Sequence, residues 1–403
     1  MRLILTSVAV CALFGGGWKG YAIFVRTRGP TVIADARRLL ATGRAPEARQ
    51  SLDRLLYFSP QDSEALLLKG LAQKQSNELD EARSTLQQIP ENARAHRVAA
   101  FELALLALQT GDVDEAEVLL TRLVDRHPDF DQAAEELRWL YFNTFRQRTL
   151  EKFLEARLAR RPGDVDTLRD LLMTEFRSPV PREGIGYLKQ VDARRPNQPG
   201  VLRGLAWCHW QLGDLEQARR EFEQLLENKP DSPEILFLAL SYLIEQGETE
   251  AGLTMIARIE ELRADGPIVL LEKDDRWWWI RSNLAEQSGS NEMALDLLNR
   301  ALEIRPFELK YIHRRGLVHQ KLGRTSEAAT DFQRANLLES CATRLTEIVL
   351  SGALEQLTPK ICLELSELAE KRGRQSQGAG WRLVRGRVPA SRGSPSSSEG
   401  RRP

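Results

Sequence analysis

The stretch GDLEQARREFEQLLENKP, at residues 213–230, contains the unit from which the fold of this chain can be worked out. A glycine–aspartate turn opens the stretch, and Pro230 closes it. Between them, apolar side chains recur with the helical period and charged residues fall on the opposite face. The apolar stripe consists of Leu215, Ala218, Phe222, Leu225 and Leu226. The stretch therefore predicts one amphipathic helix.

The same features recur along the chain at intervals of 34 residues. Closing prolines stand at Pro128, Pro162, Pro196 and Pro230, and turn glycines stand at Gly43, Gly111, Gly213 and Gly247. Alanines keep the same phase at Ala48, Ala82, Ala116 and Ala218. After an insertion the period resumes, with glycines at Gly289 and Gly323 and alanines at Ala294 and Ala328. A fixed period of this length decides the fold class, because each repeat can bury its apolar face only against its neighbours.

The phase of the pattern divides the chain into segments. We predict seven repeats over residues 29–266, an inserted linker over 267–274 and two further repeats over 275–342. C-terminal helices follow over 343–387, and they can include a partial capping repeat. Residues 388–403 are dominated by serine, arginine, glycine and proline, which predicts a disordered basic tail.

Three repeats depart from the pattern at the turn between their two helices. Asn77 takes the turn position of the second repeat, as asparagine can in the left-handed conformation. Phe145 and Pro179 stand at this position in the fourth and fifth repeats. These departures concern local curvature and leave the predicted fold class unchanged.

The 34-residue helix–turn–helix pattern, with small residues where two helices touch and a closing proline, resembles the tetratricopeptide repeat family. The resemblance covers residues 29–342. It implies an all-α fold, a right-handed α-solenoid of about nine helix–turn–helix repeats. In such a pair, an alanine at the closest crossing lets the helices approach, and the aromatic residue four positions later fills the gap to the next repeat.

The overall charge is balanced, with 57 basic and 57 acidic residues, but its distribution is uneven. Residues 1–28 hold four basic residues and no acid, and residues 371–403 hold nine basic residues and one acid. Between residues 29 and 370 there are 44 basic and 56 acidic residues. An acidic body between basic ends argues against a nucleic-acid-binding solenoid. The basic stretch at 371–387 can touch anionic lipid or nucleic acid, or it can be the solvated end of the last helix.

Residues 1–28 are predicted to form an N-terminal transmembrane or signal-anchor segment. No residue from Leu3 to Trp18 is charged, and apolar residues resume after Lys19 up to Val25. As a helix, this stretch would span about 34 Å, which is enough to cross a bilayer if Lys19 reaches the interface. The rival interpretation is a secretory signal that is cleaved near the triple glycine at 15–17, with export of the repeats. The side of the membrane that holds the body stays open.

The sequence offers no catalytic or metal-binding motif. The five histidines form no HExxH motif, and no phosphate loop, nucleophile elbow or CxxC pair occurs. The four cysteines are scattered, and those of the folded body are expected to be buried apolar residues. We therefore predict a protein that is not an enzyme, binds no cofactor and binds no metal.

The family resemblance also implies a binding groove, because the first helix of each repeat lines the concave surface in tetratricopeptide solenoids. Carried onto this chain, the groove-lining positions hold four of the eight tryptophans and four of the thirteen phenylalanines. The predicted protein-binding residues are Phe101, Trp139, Phe142, Phe176, Arg203, Trp207, Trp210, Phe237 and Trp279, and Leu105 and Leu108 occupy equivalent positions. A contiguous exposed aromatic area marks a partner site. The alternative is that these aromatic residues pack between neighbouring first helices and are mostly buried.

The run from Trp277 to Trp279 tests the helix register. Trp278 occupies the family's aromatic core position, so the resemblance places it in the core. Its two neighbours point elsewhere on a helix, and one of them is expected to be exposed or to pack under the inserted linker.

These observations predict a membrane-anchored protein-binding scaffold or adaptor that captures a partner peptide or helix in the concave groove. The partner's identity is open, and its binding segment is expected to be apolar. Two other functions stay open. The chain can be a structural or assembly subunit of a cell-envelope complex that binds through its ends or outer face. It can also be an accessory regulator of a membrane-bound enzyme.

Overall fold

The computed structural model describes residues 28–176, 180–265 and 273–388. Within these ranges the secondary structure is helical, strands are absent, and the helices follow one another as helix–turn–helix pairs. The predicted fold class, an all-α solenoid of tetratricopeptide-like repeats, is confirmed. The predicted N-terminal anchor, most of the inserted linker and the predicted disordered tail lie outside the described residues. In the part of the chain that is described, no helix is both long and apolar enough to span a bilayer.

Most helices are 11 to 15 residues long, as expected of a repeat, whereas α4 has 8 residues, α14 has 17 and α18 has 26. In chain order they are α1 (residues 28–41), α2 (Ala45–Phe58), α3 (Ser63–Gln75), α4 (Leu79–Leu86), α5 (His96–Thr110), α6 (Val113–Arg126), α7 (Asp131–Asn143), α8 (Gln147–Arg160), α9 (Val165–Phe176), α10 (Pro181–Arg194), α11 (Pro199–Gln211), α12 (Leu215–Asn228), α13 (Pro233–Glu245), α14 (Thr249–Asp265), α15 (Asp275–Gln287), α16 (Asn291–Ile304), α17 (Leu309–Lys321), α18 (Thr325–Leu350), α19 (Pro359–Lys371) and α20 (Gln375–Arg385). They belong to two compact units. Of the described residues, the first unit contains those up to Leu140 together with Gln190–Gly200, and the second contains those of Tyr141–Lys189 and those from Val201 onward.

The glycine–aspartate turn joins the two helices of a pair through two separate effects. Gly213 has a φ of 78°, in the left-handed region that favours glycine. Asp214 then caps α12, because its carboxylate accepts a hydrogen bond from the backbone N–H of Gln217. Asp112 caps α6 in the same way, accepting from the N–H of Glu115 at 3.1 Å. The Gly-Asp pair therefore ends one helix and starts the next.

Two turns that lack glycine keep the left-handed backbone. Asn77 has a φ of 61°, as the sequence predicted, and Phe145 has a φ of 58°. A left-handed phenylalanine is unusual because its Cβ crowds the following carbonyl. Phe145 is buried and lies over Gly184, where a Cβ would come 1.9 Å from its ring. Tight packing within the second unit therefore stabilises the left-handed backbone at Phe145, a position where other repeats have glycine.

Small residues form the closest helix crossings. The phase-locked alanines are all buried, with at most 3% of their surface exposed: Ala48, Ala82, Ala116, Ala218, Ala294 and Ala328. Gly70 meets Leu86 so closely that a Cβ would come 2.6 Å from its Cγ. Of the predicted stripe on α12, Phe222 and Leu225 are buried, whereas Leu215 is 39% exposed. The stripe is narrower than the sequence pattern suggested.

In the first unit, the segment Gln190–Gly200 packs on the turn between α5 and α6. The Gln198 side chain is buried; its amide oxygen accepts from the N–H of Val113 at 2.8 Å, and its amide nitrogen donates to the carbonyl of Gly111. Arg195 pairs with Asp112 at the same turn. A distant part of the chain thus satisfies the polar groups of this turn.

In the second unit, the C-terminal helix pair returns to α8 and α9. Gly380 on α20 lies so close to Pro162 that a Cβ would come 2.6 Å from the Pro162 carbonyl oxygen. Trp381, the next residue, is 2% exposed. Arg374, at the start of α20, forms ion pairs with Glu151 and Glu155 of α8, at 2.6 and 3.0 Å. The second unit is therefore held by contacts between its two ends as well as between neighbouring repeats.

The tryptophan run and the cysteines extend the core. Trp278 is buried, as predicted. Trp277 is buried completely, against Phe237, and Trp279 is half-buried. Packing of the run under the inserted linker stays a prediction, because most of that linker lies outside the described residues. Within the described part of the chain the cysteines are free and buried, which confirms the expectation for them.

Two glycines of the second unit separate the requirement for a left-handed turn from ordinary packing. At both Gly213 and Gly186 a Cβ would meet nothing within 4 Å, but Gly213 has a positive φ and Gly186 lies inside α10. We expect Gly213→Ala to lower the free energy of unfolding by about 1 to 2 kcal/mol through backbone strain alone. Gly186→Ala should raise it by about 0.5 to 1 kcal/mol, because alanine favours the helix. Urea unfolding of both variants measures the difference, and equal effects of the two substitutions would contradict this account of the turn.

Candidate binding sites

The first unit presents an apolar stripe along α5. Phe101, Leu105 and Leu108 recur at helical spacing and are all half-buried, while the other side of α5 is closed by buried alanines. Phe130, just before α7, packs edge-on against Phe101, with ring centroids 5.1 Å apart. Trp139 on α7 is 39% exposed. We call Phe101, Leu105, Leu108 and Trp139 the α5–α7 stripe.

Two residues that the sequence assigned to an exposed groove are buried in the second unit. Phe237 is 2% exposed and packs edge-on against Trp277, with the Arg276 guanidinium 4.8 Å from its ring centroid. Arg203 is 7% exposed and donates to the carbonyl of Thr144 at 2.7 Å. Neither residue is therefore exposed: Phe237 packs on a neighbouring helix, Arg203 lies against the Thr144 carbonyl, and partner binding by both stays a prediction.

The other predicted aromatic residues of the second unit are half-buried between helices. Trp207 stacks on Phe145, with ring centroids 4.9 Å apart, and Trp279 stacks on Tyr311 at the same distance. Trp210 packs edge-on against two aromatic rings of its neighbours, those of Phe222 and Tyr242. Phe142 is half-buried, and the side chain of Phe176 lies outside the described residues. This is the packing that the sequence left open as the alternative, and partner binding by these residues stays a prediction.

The second unit contains an open cavity of about 530 Å³. Seven cationic side chains line it: Arg146, Arg148, Arg203, Arg276, Arg305, Lys310 and Arg374. Four carboxylates also line it: Glu151, Glu234, Asp275 and Glu308. Its aromatic wall includes the stacked pair of Phe145 and Trp207. We call this space the cationic cavity, because cationic side chains outnumber carboxylates in its lining, although Asp274 and Glu155 outside the lining also pair with Arg276 and Arg374.

Glu234, on α13, is held between two arginines at one side of the cationic cavity. Its carboxylate oxygens lie 3.0 Å from Arg203 Nη1 and 2.9 Å from Arg146 Nη2. Burial alone would raise the pKa of Glu234, but the charges of Arg203 and Arg146 outweigh burial and lower that pKa to about 2. The carboxylate is therefore ionised throughout the neutral and mildly acidic range.

Asp275, at the start of α15, has a similar position at the other side. It pairs with Arg148 and accepts a hydrogen bond from the Tyr311 hydroxyl at 2.7 Å. Burial would raise the pKa of Asp275, yet the hydrogen bond and the charge of Arg148 lower it. Burial and the carboxylate of Asp275 together raise the pKa of Tyr311, which therefore stays a hydrogen-bond donor.

Lys310, on α17, differs from the arginines of the cationic cavity. Its ammonium lies 5.5 and 5.2 Å from the ring centroids of Trp279 and Tyr311. The side chain is open to the solvent of the cavity but has protein on most sides, and this burial lowers the pKa of Lys310. Among the described residues, no carboxylate forms an ion pair with its ammonium. The position suits a cation that binds an anion inside the cavity.

Sequence reasoning missed most of the cationic cavity, because its lining residues lie between positions 145 and 374 on eight different helices or their ends. Only Arg203 and Trp207 were in the predicted set. One local signal existed: Arg146 and Arg148 follow Phe145, the turn position that has lost its glycine. Among the residues the structure describes, no cluster of three or more His, Cys, Asp or Glu is arranged to hold a metal ion.

Comparison with known proteins recognises repeats in this chain. One tetratricopeptide repeat model matches residues 39–102 and 181–240, and a second tetratricopeptide repeat model matches residues 98–129. A TPR repeat-containing protein of Methanocaldococcus jannaschii is 25% identical over 129 residues, which make up 31% of this chain and 22% of that protein. The match thus spans about a fifth of the length of that relative.

Two solved structures illustrate the structural likeness. MamA from Desulfovibrio magneticus RS-1, from residue 41 to its end, is 21% identical with a TM-score of 0.34, and the match covers 44% of this chain and 97% of that one. PilW, described as a widely conserved type IV pilus biogenesis factor, is 16% identical with a TM-score of 0.34, and the match covers 54% of this chain and 90% of that one. At these scores neither structure carries an argument about the function of this chain.

The Arg203–Glu234–Arg146 group makes the stability of the second unit depend on pH. Because the folded-state pKa of Glu234 is lowered to about 2, its stabilisation is fully present above the unfolded pKa of about 4.3 and is lost as the pH falls towards 2. Glu234→Gln should lower the free energy of unfolding at pH 7 by about 1 to 3 kcal/mol, a range that allows for the carboxylate's access to cavity solvent. Unfolding curves at pH 7, 4 and 3 measure the loss, which should shrink with acidity. A loss of constant size would contradict the pairing.

Proposed function

We propose that this protein is a non-catalytic scaffold that binds a partner protein along the α5–α7 stripe. Tetratricopeptide repeats typically serve protein interaction, and the stripe contains Trp139, the most exposed of the predicted groove residues whose side chains are described. The supporting observation is that Phe101, Leu105 and Leu108 share one side of α5 and remain half-buried, while its other side is packed. A partner that covers the stripe would remove this apolar area from water.

The chemistry of the stripe indicates what kind of segment would bind. Three apolar residues one turn apart on α5 and an exposed tryptophan on α7 suit the apolar side of a helix or an extended segment with apolar anchors. Aromatic residues of this kind commonly carry much of the binding energy of an interface. Arg97, whose guanidinium lies 5.2 Å from the Phe130 ring centroid, pairs with Asp129 at 3.8 Å and so adds no net positive charge at this end. We therefore propose an apolar partner segment rather than an acidic chain terminus.

The scaffold is further proposed to be attached to a membrane through residues 1–28. The support is the sequence alone: an apolar stretch long enough to cross a bilayer, with Trp18 and Tyr21 beside Lys19 where an interface would lie. In this arrangement the repeats would hold a partner near the membrane surface. The rival proposal, export after cleavage of a signal, would release the same scaffold from the membrane.

Substitution in the α5–α7 stripe tests partner binding. A photo-crosslinking residue at Leu108 should trap the partner in intact membranes, and adding Phe101→Ala and Trp139→Ala should reduce this capture about ten-fold or more. Tyr57→Ala is the matched control, because Tyr57 is an aromatic residue of the first unit that is 74% exposed and lies outside the stripe. Circular dichroism checks that the helices are retained. Equal capture by the folded double variant and the control would refute the proposal.

Removal of residues 1–28 tests membrane attachment. If they form a retained anchor, the full-length protein should sediment with membranes after a high-salt wash, and the truncated protein should remain in the supernatant. The measurement is the distribution between the two fractions, together with the mass of the mature full-length protein. A mature mass that lacks the first residues, with the protein in the supernatant, would show signal cleavage and contradict anchoring.

A further inference from the structure

We propose that the cationic cavity is a binding site for a small anion that carries phosphate groups. Every lining residue belongs to the second unit, so the proposal does not depend on partner binding at the α5–α7 stripe. Repeat proteins can bind partners without such a cavity, and the proposed scaffold function leaves the concentration of charge within it unexplained.

The balance of charge in the cationic cavity favours an anion. Six arginines and Lys310 face four carboxylates. Asp274 pairs with Arg276 at 2.7 Å and Glu155 pairs with Arg374 at 3.0 Å, which leaves one positive charge in excess. Like charges this close repel one another, more strongly where protein partly replaces water. A bound anion would relieve that repulsion, and the cavity is therefore expected to be more stable when occupied.

The carboxylates around the cavity orient the arginines as well as compensate their charge. Glu234 contacts both Arg203 and Arg146, and Glu151 contacts Arg305 at 3.2 Å and Arg374 at 2.6 Å. One carboxylate therefore holds two guanidinium groups in each case. A guanidinium has five N–H donors in a fixed plane, and oriented guanidinium groups are well suited to bind phosphate oxygens in pairs.

The size and walls of the cavity indicate a small molecule. A volume of about 530 Å³ lies within the range of small-ligand pockets, about 300 to 1,000 Å³. The stacked rings of Phe145 and Trp207 give it one apolar wall beside the charged groups. A few strongly polar groups next to an aromatic wall are typical of a ligand site. The dimensions do not suit a long nucleic acid, whose charge would extend beyond the cavity.

Substitution of Lys310 gives the most informative test of the proposal. Its described contacts are the two aromatic rings of Trp279 and Tyr311, so its removal breaks no described ion pair. Lys360 provides a matched control, because it is an exposed lysine of the second unit that does not line the cavity. Replacing either residue by glutamine removes one positive charge from the protein, so any difference between them reports the cavity.

The experiment is isothermal titration of the full-length protein, in detergent, with inorganic pyrophosphate at about 150 mM ionic strength. We expect saturable binding at one site, weakened about ten-fold or more by Lys310→Gln and unchanged by Lys360→Gln. Lys310→Arg should keep the affinity within about three-fold, because it preserves the charge. Citrate, a polycarboxylate titrated under the same conditions, should bind more weakly than pyrophosphate.

Four results would overturn the proposal. One is the absence of saturable pyrophosphate binding. Another is equal weakening by Lys310→Gln and Lys360→Gln, which would indicate diffuse surface charge. Tighter binding of citrate than of pyrophosphate would indicate a site for carboxylates. Loss of binding in a folded Lys310→Arg variant would show that the positive charge at this position does not account for the affinity. Because capture at the α5–α7 stripe is measured independently, failure here leaves the scaffold proposal standing, and failure there leaves this one standing.

Discussion

The close approach of two helices at a buried small residue is the constraint on which the rest of this structure depends. Six alanines in the same phase of the repeat have at most 3% of their surface exposed, and Gly70 leaves no room for a Cβ against Leu86. Any larger side chain at these crossings would push the paired helices apart. The turn between them must then reverse the chain within a few residues, which explains the left-handed backbone found at the glycine turns. The helix–turn–helix fold and the repeat period therefore both depend on the short distance between the paired helices.

Much of the fold could be predicted from the sequence because these requirements act locally. The buried alanine, the positive φ of Gly213 and the helix cap of Asp214 all lie within a few residues of each other, so their spacing is visible in the chain. The left-handed Asn77 followed from its place in the period. Phe145 did not: its conformation depends on packing against Gly184, a contact that no short-range pattern encodes.

The candidate sites were harder to predict, for the same reason. A family pattern assigns residues to a helix side, but a small rotation of an irregular repeat decides whether that side meets water or a neighbour. Phe237 turned into the core beside Trp277, while Trp139 kept its exposure. The cationic cavity is less visible still, since Arg146, Arg305 and Arg374 are brought together only by the tertiary fold. Charge totals gave no hint, because the body of the chain is acidic as a whole.

The return of the last helix pair to α8 and α9 has a consequence for how the second unit is made. In an open repeat array each repeat can fold as soon as its neighbour exists, so folding can follow synthesis. Here α20 meets Pro162 and the start of α9, and those surfaces lack this contact until α20 has left the ribosome. The second unit is therefore expected to complete its packing only after α20 has been made. A chain that ends before α20 would lack both that helix and the contacts that it makes with α8 and α9.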